Sequence, residues 1–191
     1  MDSDEELLKM IASGSGAGME ALVYRYHKPI YEYLQRMLGD ASLAEDLAQE
    51  CFIRLYRTVR SGRLPSRFRP WIYRIATNLC KDVWKSSSYR REALWGADKM
   101  SQHEDGETVT SLLERQWERE AVIRALGRLA EDEKEIVVLR FYHELKLDEI
   151  AETLELSLGS VKTKLYKSFK KLALMLEEEE AGPYGAAKRP K

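Results

Sequence analysis

Residues 63–91 carry an unusual excess of positive charge for a segment with helical periodicity. They contain eight Arg or Lys side chains and one acid, Asp82, which gives a net charge of +7. A solvated helix face usually mixes Glu with Lys, because opposite charges one turn apart attract each other. The excess therefore indicates that this segment binds a negatively charged partner.

The chain has few groups arranged for catalysis or for holding a metal. Three carboxylates, Glu45, Asp46 and Glu50, could act as paired catalytic acids or as metal ligands. A di-metal site in a helical bundle needs Glu-x-x-His pairs, and the sequence contains none. The segment SGSGAG at residues 13–18 lacks the lysine and the preceding strand of a phosphate-binding loop. We expect no enzymatic activity, no metal and no cofactor.

A helix must position the side chains of the basic segment, and the spacing predicts one from about Trp71 to Lys85. One stripe of this helix is apolar and would pack on a core: Ile72, Ile75, Ala76, Leu79 and Val83. Polar and basic residues gather on the opposite side, with two more at its edge: Arg74, Asn78, Lys81 and Lys85, then Trp71 and Asp82.

A second basic helix follows a short amphipathic helix near the C-terminus. The short helix is predicted over Leu147–Leu154, and Ser157 can cap the next helix after a tight turn. That helix should bury Val161, Leu165, Phe169 and Leu172 and expose Ser160, Thr163, Lys164, Lys167, Lys170 and Lys171. This pattern predicts a helix-turn-helix, with Lys162 and Thr163 near the helix N-terminus, where side chains reach base edges.

The charge distribution favours DNA as the ligand of this second helix. Residues 157–176 contain five lysines and no acid, whereas residues 131–155 contain nine acids and three bases. Phosphates favour the lysine-rich surface, because bound cations release counterions from DNA. A lysine-rich helix that is merely solvated would have the same period, so that alternative stays open.

Helical periodicity extends over almost the whole chain of 191 residues, so we expect an all-α fold. One helix-rich block spans residues 4–91 and another spans 117–176. Residues 92–116 are acidic, have no sustained apolar period and are expected to form a flexible linker. The tail, 177–191, has almost no apolar material to bury and is expected to be disordered.

Local signals predict three helices at the start of the first block. Glu5–Ala12 and Met19–Leu38 have helical periodicity, and Pro29 would kink or break the second of them. Ser42 can cap the third. This third helix should turn one stripe to the core: Leu43, Leu47, Cys51, Leu55 and Val59. Another side carries Asp46, Gln49, Glu50, Ile53 and Arg57, for which simple solvation is a sufficient explanation.

Composition limits the class of protein. The chain is 44% hydrophobic and 33% charged with a net charge of -1, which suits one or two small domains. It has no run of about 18 apolar residues, so we expect no membrane insertion. Its N-terminus, MDSDEELLKM, lacks the basic and apolar regions of a signal peptide. Cys51 and Cys80 are expected to be buried, reduced thiols of a cytoplasmic protein.

Three motifs together resemble those of a bacterial RNA polymerase sigma factor of the extracytoplasmic-function (ECF) type, group 4 of the sigma-70 family. The motifs are AEDLAQECFIRLYR at 44–57, RPWIYRIATNLCKD at 69–82 and LDEIAETLELSLGSVKTKLYKSFKKL at 147–172. The resemblance covers roughly residues 4–175, with the linker matching in position only. It implies two small helical domains, sigma region 2 and a winged-helix-like sigma region 4 that contains the helix-turn-helix.

The resemblance implies a role for each polar surface of the first block. The docking face, defined as Asp46, Gln49, Glu50, Ile53 and Arg57, would bind the clamp helices of the largest subunit of core RNA polymerase. The strand-capture face, defined as Trp71, Arg74, Asn78, Lys81, Asp82 and Lys85, would melt the −10 promoter element and hold its single strand. Asn78, with Asp82 nearby, matches the position that holds a flipped base. Arg74, Lys81 and Lys85 would hold phosphates, and Trp71 is either a wedge or part of the core.

The resemblance also implies that the C-terminal block reads the −35 element in the major groove. We define the duplex-reading face as Ser160, Lys162, Thr163, Lys164, Tyr166 and Lys167. The family often has Arg at three of these positions, and lysine lacks the bidentate fork of arginine. Base-specific contacts should therefore be weaker here and phosphate contacts stronger. A second departure is SGSGAG, where the family usually has Gly-Asp.

The function implied by the resemblance is that of a non-catalytic initiation factor. It would bind core RNA polymerase through the clamp helices and the flap, direct it to promoters and help open the DNA. An anti-sigma protein is an expected partner, and the acidic linker would imitate RNA in the RNA exit path. A stand-alone helix-turn-helix regulator is the alternative, but it would leave the docking and strand-capture faces unexplained. A protein-interaction adaptor would not explain the lysine-rich helix.

Overall fold

The computed structural model describes residues 2–86 and 120–181, without the side chains of 179–181. Within these ranges every regular element is an α-helix, which confirms the all-α fold. The first unit contains α1 (Asp4–Ala12), α2 (Gly16–Leu38), α3 (Ala41–Arg60) and α4 (Phe68–Lys85). The second contains α5, described over residues 120–127, α6 (Glu131–Phe141), α7 (Leu147–Leu154) and α8 (Leu158–Ala181). The predicted linker, 92–116, lies outside the described residues.

Capping side chains determine where the first helices begin. At α1, Ser3 Oγ accepts a hydrogen bond from the Glu6 amide at 3.3 Å, and the Glu6 carboxylate accepts one from the Ser3 amide at 2.7 Å. At α3 the cap is Asp40, whose carboxylate accepts from the Leu43 amide at 3.0 Å, so the predicted cap at Ser42 is wrong. Because Gly39 ends α2 with a φ of 75°, Asp40 is the extended residue that faces the free amides.

Helix α2 is longer and more continuous than the sequence pattern indicated. It begins at Gly16, three residues before the predicted start, and continues through Pro29 as one helix. Gly18 lies where α1 crosses α2, and a Cβ at this position would be 2.7 Å from the carbonyl oxygen of Leu7. Glycine therefore permits the close crossing. Burial of apolar side chains on both sides of the proline offsets its missing hydrogen bond: Leu22, Ile30, Tyr33 and Leu34.

The core of the first unit lies between α1, α2, α3 and α4. The predicted stripe of α3 faces it, with Cys51, Leu55 and Val59 fully buried, and three further buried residues add to it: Ala44, Ala48 and Phe52. Cys51 and Cys80 are both buried free thiols, as expected. Burial raises the pKa of Cys51 to about 12, so its reactive thiolate is strongly disfavoured at neutral pH.

The second unit contains the helix-turn-helix with the predicted bounds for α7 and its turn. Glu155 ends α7 with a left-handed backbone at a φ of 57°, and Ser157 Oγ accepts a hydrogen bond from the Ser160 amide at 3.1 Å to start α8. Val161 is fully buried, but Phe169 is 42% exposed and packs edge-to-face on Phe141. The predicted burial of Phe169 is therefore wrong. Ser168 is fully buried instead, seven residues after Val161, so the side of α8 that faces the core passes beside Phe169 rather than through it.

Helix α8 continues to Ala181, five residues into the tail that was predicted to be disordered. That prediction is wrong for residues 177–181, while 182–191 lie outside the described part of the chain. The segment from 172 consists of Leu, Ala, Met and Glu, which all have high helix propensity, so each residue adds a hydrogen bond at little entropic cost. None of the helices in the described ranges combines the length and apolar composition needed to cross a membrane.

The two units pack directly against each other, chiefly along α4 of the first and α7 of the second. A single buried apolar cluster runs through both units, and it includes Ile72 and Tyr73 from the first with Ile136, Leu139 and Ile150 from the second. The sequence predicted two helical units but no contact between them. The contact involves α4, the helix that carries the residues of the predicted strand-capture face.

Candidate nucleic-acid interface

The docking face forms one exposed side of α3. Asp46, Gln49, Ile53 and Arg57 are all exposed, and their spacing of three or four residues keeps them on one side of the helix. Glu50 is half-buried and accepts a hydrogen bond from Arg54 Nε at 2.8 Å. Ile53 is 44% exposed among these polar groups. An exposed aliphatic side chain flanked by charges is a common element of protein–protein contacts.

The strand-capture face lies on α4, which begins at Phe68, three residues before the predicted start. Trp71 and Asn78 line an open pocket of about 270 Å³ between α4 and α3. The opposite wall of the pocket is formed by Arg54, Arg57 and Thr58 of α3. Trp71 is partly buried and packs on the core as well as lining the pocket, so its core role is confirmed and its role as a wedge stays a prediction. An indole, an amide and two guanidinium groups surround a space suited to one nucleobase and its phosphate.

Lys81 and Lys85 line a different pocket, of about 310 Å³, together with Trp84 and with Glu131 of the second unit. Lys81 Nζ also lies 3.8 Å from the carboxylate of Glu135, which is almost fully buried. Burial raises the pKa of Glu135 to about 7, and the nearby Lys81 only partly opposes this shift. These two lysines are therefore grouped with acids of the second unit rather than with Asn78.

Arg74 and Asp82 lie outside both pockets, and each has different neighbours. Arg74 donates a hydrogen bond to the Glu152 carbonyl and lies 3.4 Å from the Glu155 carboxylate, both in the second unit. Asp82 is exposed and lies 3.9 Å from Arg54. The six residues thus do not form the one continuous exposed side expected from periodicity, because the second unit covers part of α4.

Three residues of these surfaces were missed as site candidates in the sequence. Arg54 and Thr58 lie at the edge of the docking face, where they complete the pocket around Asn78. Arg67 was counted only in the charge of the basic segment, yet its guanidinium contacts three acids of α7. Helical spacing placed Arg54 and Thr58 on the side of α3 adjacent to the docking face, but only the packing of α4 shows what they face.

Four residues of the duplex-reading face are exposed on α8: Lys162, Thr163, Tyr166 and Lys167. The other two have structural partners. Lys164 forms an ion pair and hydrogen bond with Asp132 that lowers the pKa of this carboxyl, and Ser160 Oγ shares a hydrogen bond with Ser157 Oγ at 2.8 Å. Lys162 and Thr163 lie in the second turn of α8, close to its N-terminus.

Among the residues that the structure describes, no group of three His, Cys, Asp or Glu side chains could hold a metal ion. His27 and Glu45 lie 3.2 Å apart on the surface of the first unit. His143 is buried between the units, with its Nδ1 hydrogen-bonded to Tyr73 Oη at 3.0 Å.

Comparison with known families decides what the two units are. The family model described as Sigma-70 region 2 matches residues 22–90, and the one described as Sigma-70, region 4 matches residues 119–172, together more than half of the chain. The chain belongs to the ECF RNA polymerase sigma factors of the sigma-70 family. The first unit is therefore sigma region 2, and the second is sigma region 4.

Individual relatives agree with the family models. The chain is 29% identical over 178 residues to the ECF RNA polymerase sigma factor SigW of Bacillus subtilis, covering 90% of this chain and 95% of SigW. It is 32% identical over 171 residues to the RNA polymerase sigma factor YlaC of the same organism, covering 85% of this chain and 95% of YlaC. The solved structure of CnrH in complex with the cytosolic domain of CnrY has the same fold, with a TM-score of 0.70 at 22% identity, over 93% of this chain and 99% of CnrH.

Proposed function

We propose that this ECF sigma factor binds core RNA polymerase, directs it to promoters through −10 and −35 elements, and helps to open the DNA. The observation that carries the proposal is the pair of unlike binding surfaces on the two sigma regions. Region 2 has a pocket lined by Trp71, Asn78 and two arginines, and region 4 has an exposed helix start with Lys162 and Thr163. The first suits a base removed from its stack, and the second suits an intact major groove.

In the −10 interaction, the Asn78 amide would hydrogen-bond the edge of an extruded base while Trp71 supports its face. Arg54 would neutralise the adjacent phosphate from the other wall of the same pocket. Base stacking on an aromatic ring contributes about 1–3 kcal/mol per base. A single pocket of this kind can therefore hold one base but cannot melt a promoter without the polymerase.

In the −35 interaction, α8 would enter the major groove with its N-terminal turns. Thr163 would contact a base edge, Lys162 and Lys167 would contact phosphates or guanine, and Tyr166 would flank them. Lysine binds as a point charge, so we propose that positioning on the backbone contributes more here than bidentate base recognition. Residues 4–91 and 117–176 are proposed as the two functional domains.

Core RNA polymerase would join the two weak DNA contacts into one strong contact. When a rigid partner holds both sigma regions, the second contact forms at a high effective concentration. The docking face would bind the clamp helices, and region 4 would bind the flap. The catalytic centre would belong entirely to the polymerase, and the site of action would be the cytoplasm.

We also propose that an anti-sigma protein binds this factor and holds it inactive. CnrH has been solved in complex with the cytosolic domain of CnrY, and an anti-sigma protein would occupy an equivalent place here. The acidic linker, 92–116, would imitate RNA in the exit path and yield to the growing transcript. A linker with neutralised acids should then change promoter escape.

Run-off transcription with core RNA polymerase on genomic fragments tests the proposed function. The complete reaction should yield transcripts that are missing when either the factor or the polymerase is omitted. The isolated chain should bind promoter duplex poorly at physiological salt, because each DNA contact is weak alone. Transcripts that do not depend on the factor, or tight duplex binding by the chain alone, would favour a stand-alone regulator instead.

A pair of charge reversals tests the docking face. Asp46→Arg should weaken capture of the factor by immobilised core polymerase, since it inverts the charge at an exposed position of that face. The control is Glu20→Arg, which makes the same change at an exposed position of α2. Equal loss of capture by both variants would show that the effect is general electrostatics and would refute the assignment of the face.

A further inference from the structure

The excess of acids at residues 131–155 is not used by the function proposed above. It carries a net charge of −6, immediately before the lysine-rich helix that reads DNA. Phosphates would be repelled by such a surface. In the structure this segment forms α6, α7 and the loop between them, and α7 packs on α4, the helix with the largest positive excess. The two opposite charge patterns of the sequence thus face each other.

Arg67, at the start of α4, is the centre of the electrostatic contact. Its guanidinium lies 3.0 Å from the Asp148 carboxylate, 3.2 Å from Glu152 and 3.5 Å from Glu149. The hydrogen bond to Arg67 lowers the pKa of Asp148, and the same bond raises that of Arg67. One cation therefore binds three carboxylates along one side of α7, much as it would bind successive phosphates of a nucleic acid strand.

The strand-capture face takes part in the same contact. Arg74, one of its three proposed phosphate ligands, donates to the Glu152 carbonyl and pairs with Glu155. Lys81 and Lys85 share their pocket with Glu131. The three phosphate ligands proposed within the strand-capture face therefore lie beside acids of region 4, whereas the described residues that line the pocket around Asn78 all belong to region 2.

Buried hydrogen bonds make the contact specific. Tyr73 Oη bonds to His143 Nδ1 at 3.0 Å, and Thr153 Oγ1 donates to the Pro70 carbonyl at 3.2 Å. Both bonds join region 2 to region 4, and each involves a side chain shielded from water. A buried polar pair that loses its partner is costly, so these bonds favour one arrangement of the units over others.

We propose that this contact is an autoinhibitory clasp, in which Asp148, Glu152 and Glu155 occupy Arg67 and Arg74 in place of the phosphates of single-stranded DNA. The clasp must open before α4 can hold a separated promoter strand along its whole length. The choice of single-stranded DNA as the competing ligand rests on the proposed function. The packing of region 4 on α4 does not depend on it. Binding of core polymerase to both sigma regions would hold the clasp open.

The clasp lowers the apparent affinity for single-stranded DNA in proportion to the fraction of open molecules. Each exposed ion pair contributes little, so removing three carboxylates should change the open fraction by a moderate factor. We expect Asp148→Asn/Glu152→Gln/Glu155→Gln to bind single-stranded DNA about fivefold or more tightly than the parent chain. None of these three residues belongs to the strand-capture or duplex-reading faces.

The first measurement is the distance between the sigma regions by electron paramagnetic resonance. Spin labels on Tyr24→Cys and Leu174→Cys report it, since both positions are well exposed and the native cysteines are buried. The parent chain should give one short distance, and the triple variant should add a longer one. Arg67→Gln, which removes the opposite partner, should add the same longer distance. An unchanged distance in both variants would overturn the clasp.

The second measurement is fluorescence anisotropy with a labelled single-stranded DNA of about 12 nucleotides and mixed sequence. The control, Glu5→Gln/Glu20→Gln/Glu177→Gln, loses the same charge at exposed positions away from the contact. Tighter binding by the triple variant alone supports the clasp. Equal tightening by the control, or a longer distance without tighter binding, overturns it. Failure of the proposed function would be seen separately. In that case the triple variant would open and bind single-stranded DNA more tightly, but it would support no run-off transcription with core polymerase.

Discussion

Replacing Glu135 by Gln should make the protein steeply sensitive to acid between pH 6.5 and pH 4. Glu135 and His143 are both buried in region 4, and His143 lies at the contact with region 2. Their pKa values are shifted in opposite ways, since Glu135 rises to about 7 and His143 falls to about 4. In the parent chain the two groups therefore change stability with pH in opposite directions. Replacing Glu135 by Gln removes one of these two effects, so the pH dependence due to His143 is no longer cancelled.

The contribution of His143 follows from its burial. Desolvation lowers its pKa from 6.5 to about 4, and the cations of Arg36 and Arg69 add to the shift. Between these values the unfolded state binds a proton that the native state does not, so stability falls as the pH falls. At about 1.4 kcal/mol per pKa unit, the loss across the whole window is roughly 3 kcal/mol.

The contribution of Glu135 has the opposite sign. Burial raises its pKa from 4.5 to about 7, so in this window the native state holds a proton that the unfolded state has released. The stabilisation is fully present below pH 4.5 and is lost as the pH rises through 7. Because its size is also roughly 3 kcal/mol, the parent chain should show nearly constant stability where the two windows overlap.

Urea unfolding followed by circular dichroism at a series of pH values measures both effects. The Glu135→Gln variant should lose roughly 3 kcal/mol between pH 6.5 and pH 4, with a slope of up to about 1.4 kcal/mol per pH unit. His143→Gln should show the reverse slope, and Glu20→Gln, a change at an exposed position, should follow the parent. If the free energy of unfolding of Glu135→Gln varies with pH as little as that of the parent, the reasoning about Glu135 and His143 is refuted.

Three further outcomes are expected. Asn78→Ala, at an exposed position, should leave folding unchanged but reduce promoter opening by about tenfold, measured by permanganate reactivity of unpaired thymines, and unchanged opening would exclude the amide from base capture. Lys162→Ala should weaken duplex binding and reduce the slope of log K against log salt by about 1 if the lysine binds phosphate; an unchanged slope would assign it to a base. Gly18→Ala should cost about 1–3 kcal/mol in urea unfolding, because the new Cβ meets the Leu7 carbonyl at 2.7 Å, whereas Gly16→Ala, with open space around it, should cost little.

The sequence by itself determined the features that depend on near neighbours along the chain. Helical period and turn chemistry were sufficient to place α7, its turn and the start of α8, because each involves residues only a few positions apart. The same reasoning found Cys51 and Cys80 in the core and the exposed lysines of α8. The motifs identified both sigma regions, which the family models confirmed. The roles of the individual site residues stay predictions.

Only the tertiary structure decided what the polar side of α4 contacts. Periodicity placed Arg74, Asn78 and Lys81 together, but the packing of region 4 pairs Arg74 with Glu155, leaves Asn78 in a pocket with Arg54, and sets Lys81 near a buried Glu135. The exposure of Phe169 and the continuity of α2 through Pro29 were likewise set by packing. The physical reason is range: period and capping act within one or two helical turns, whereas burial and ion pairing depend on residues about 80 positions away in the chain, such as Glu155 opposite Arg74.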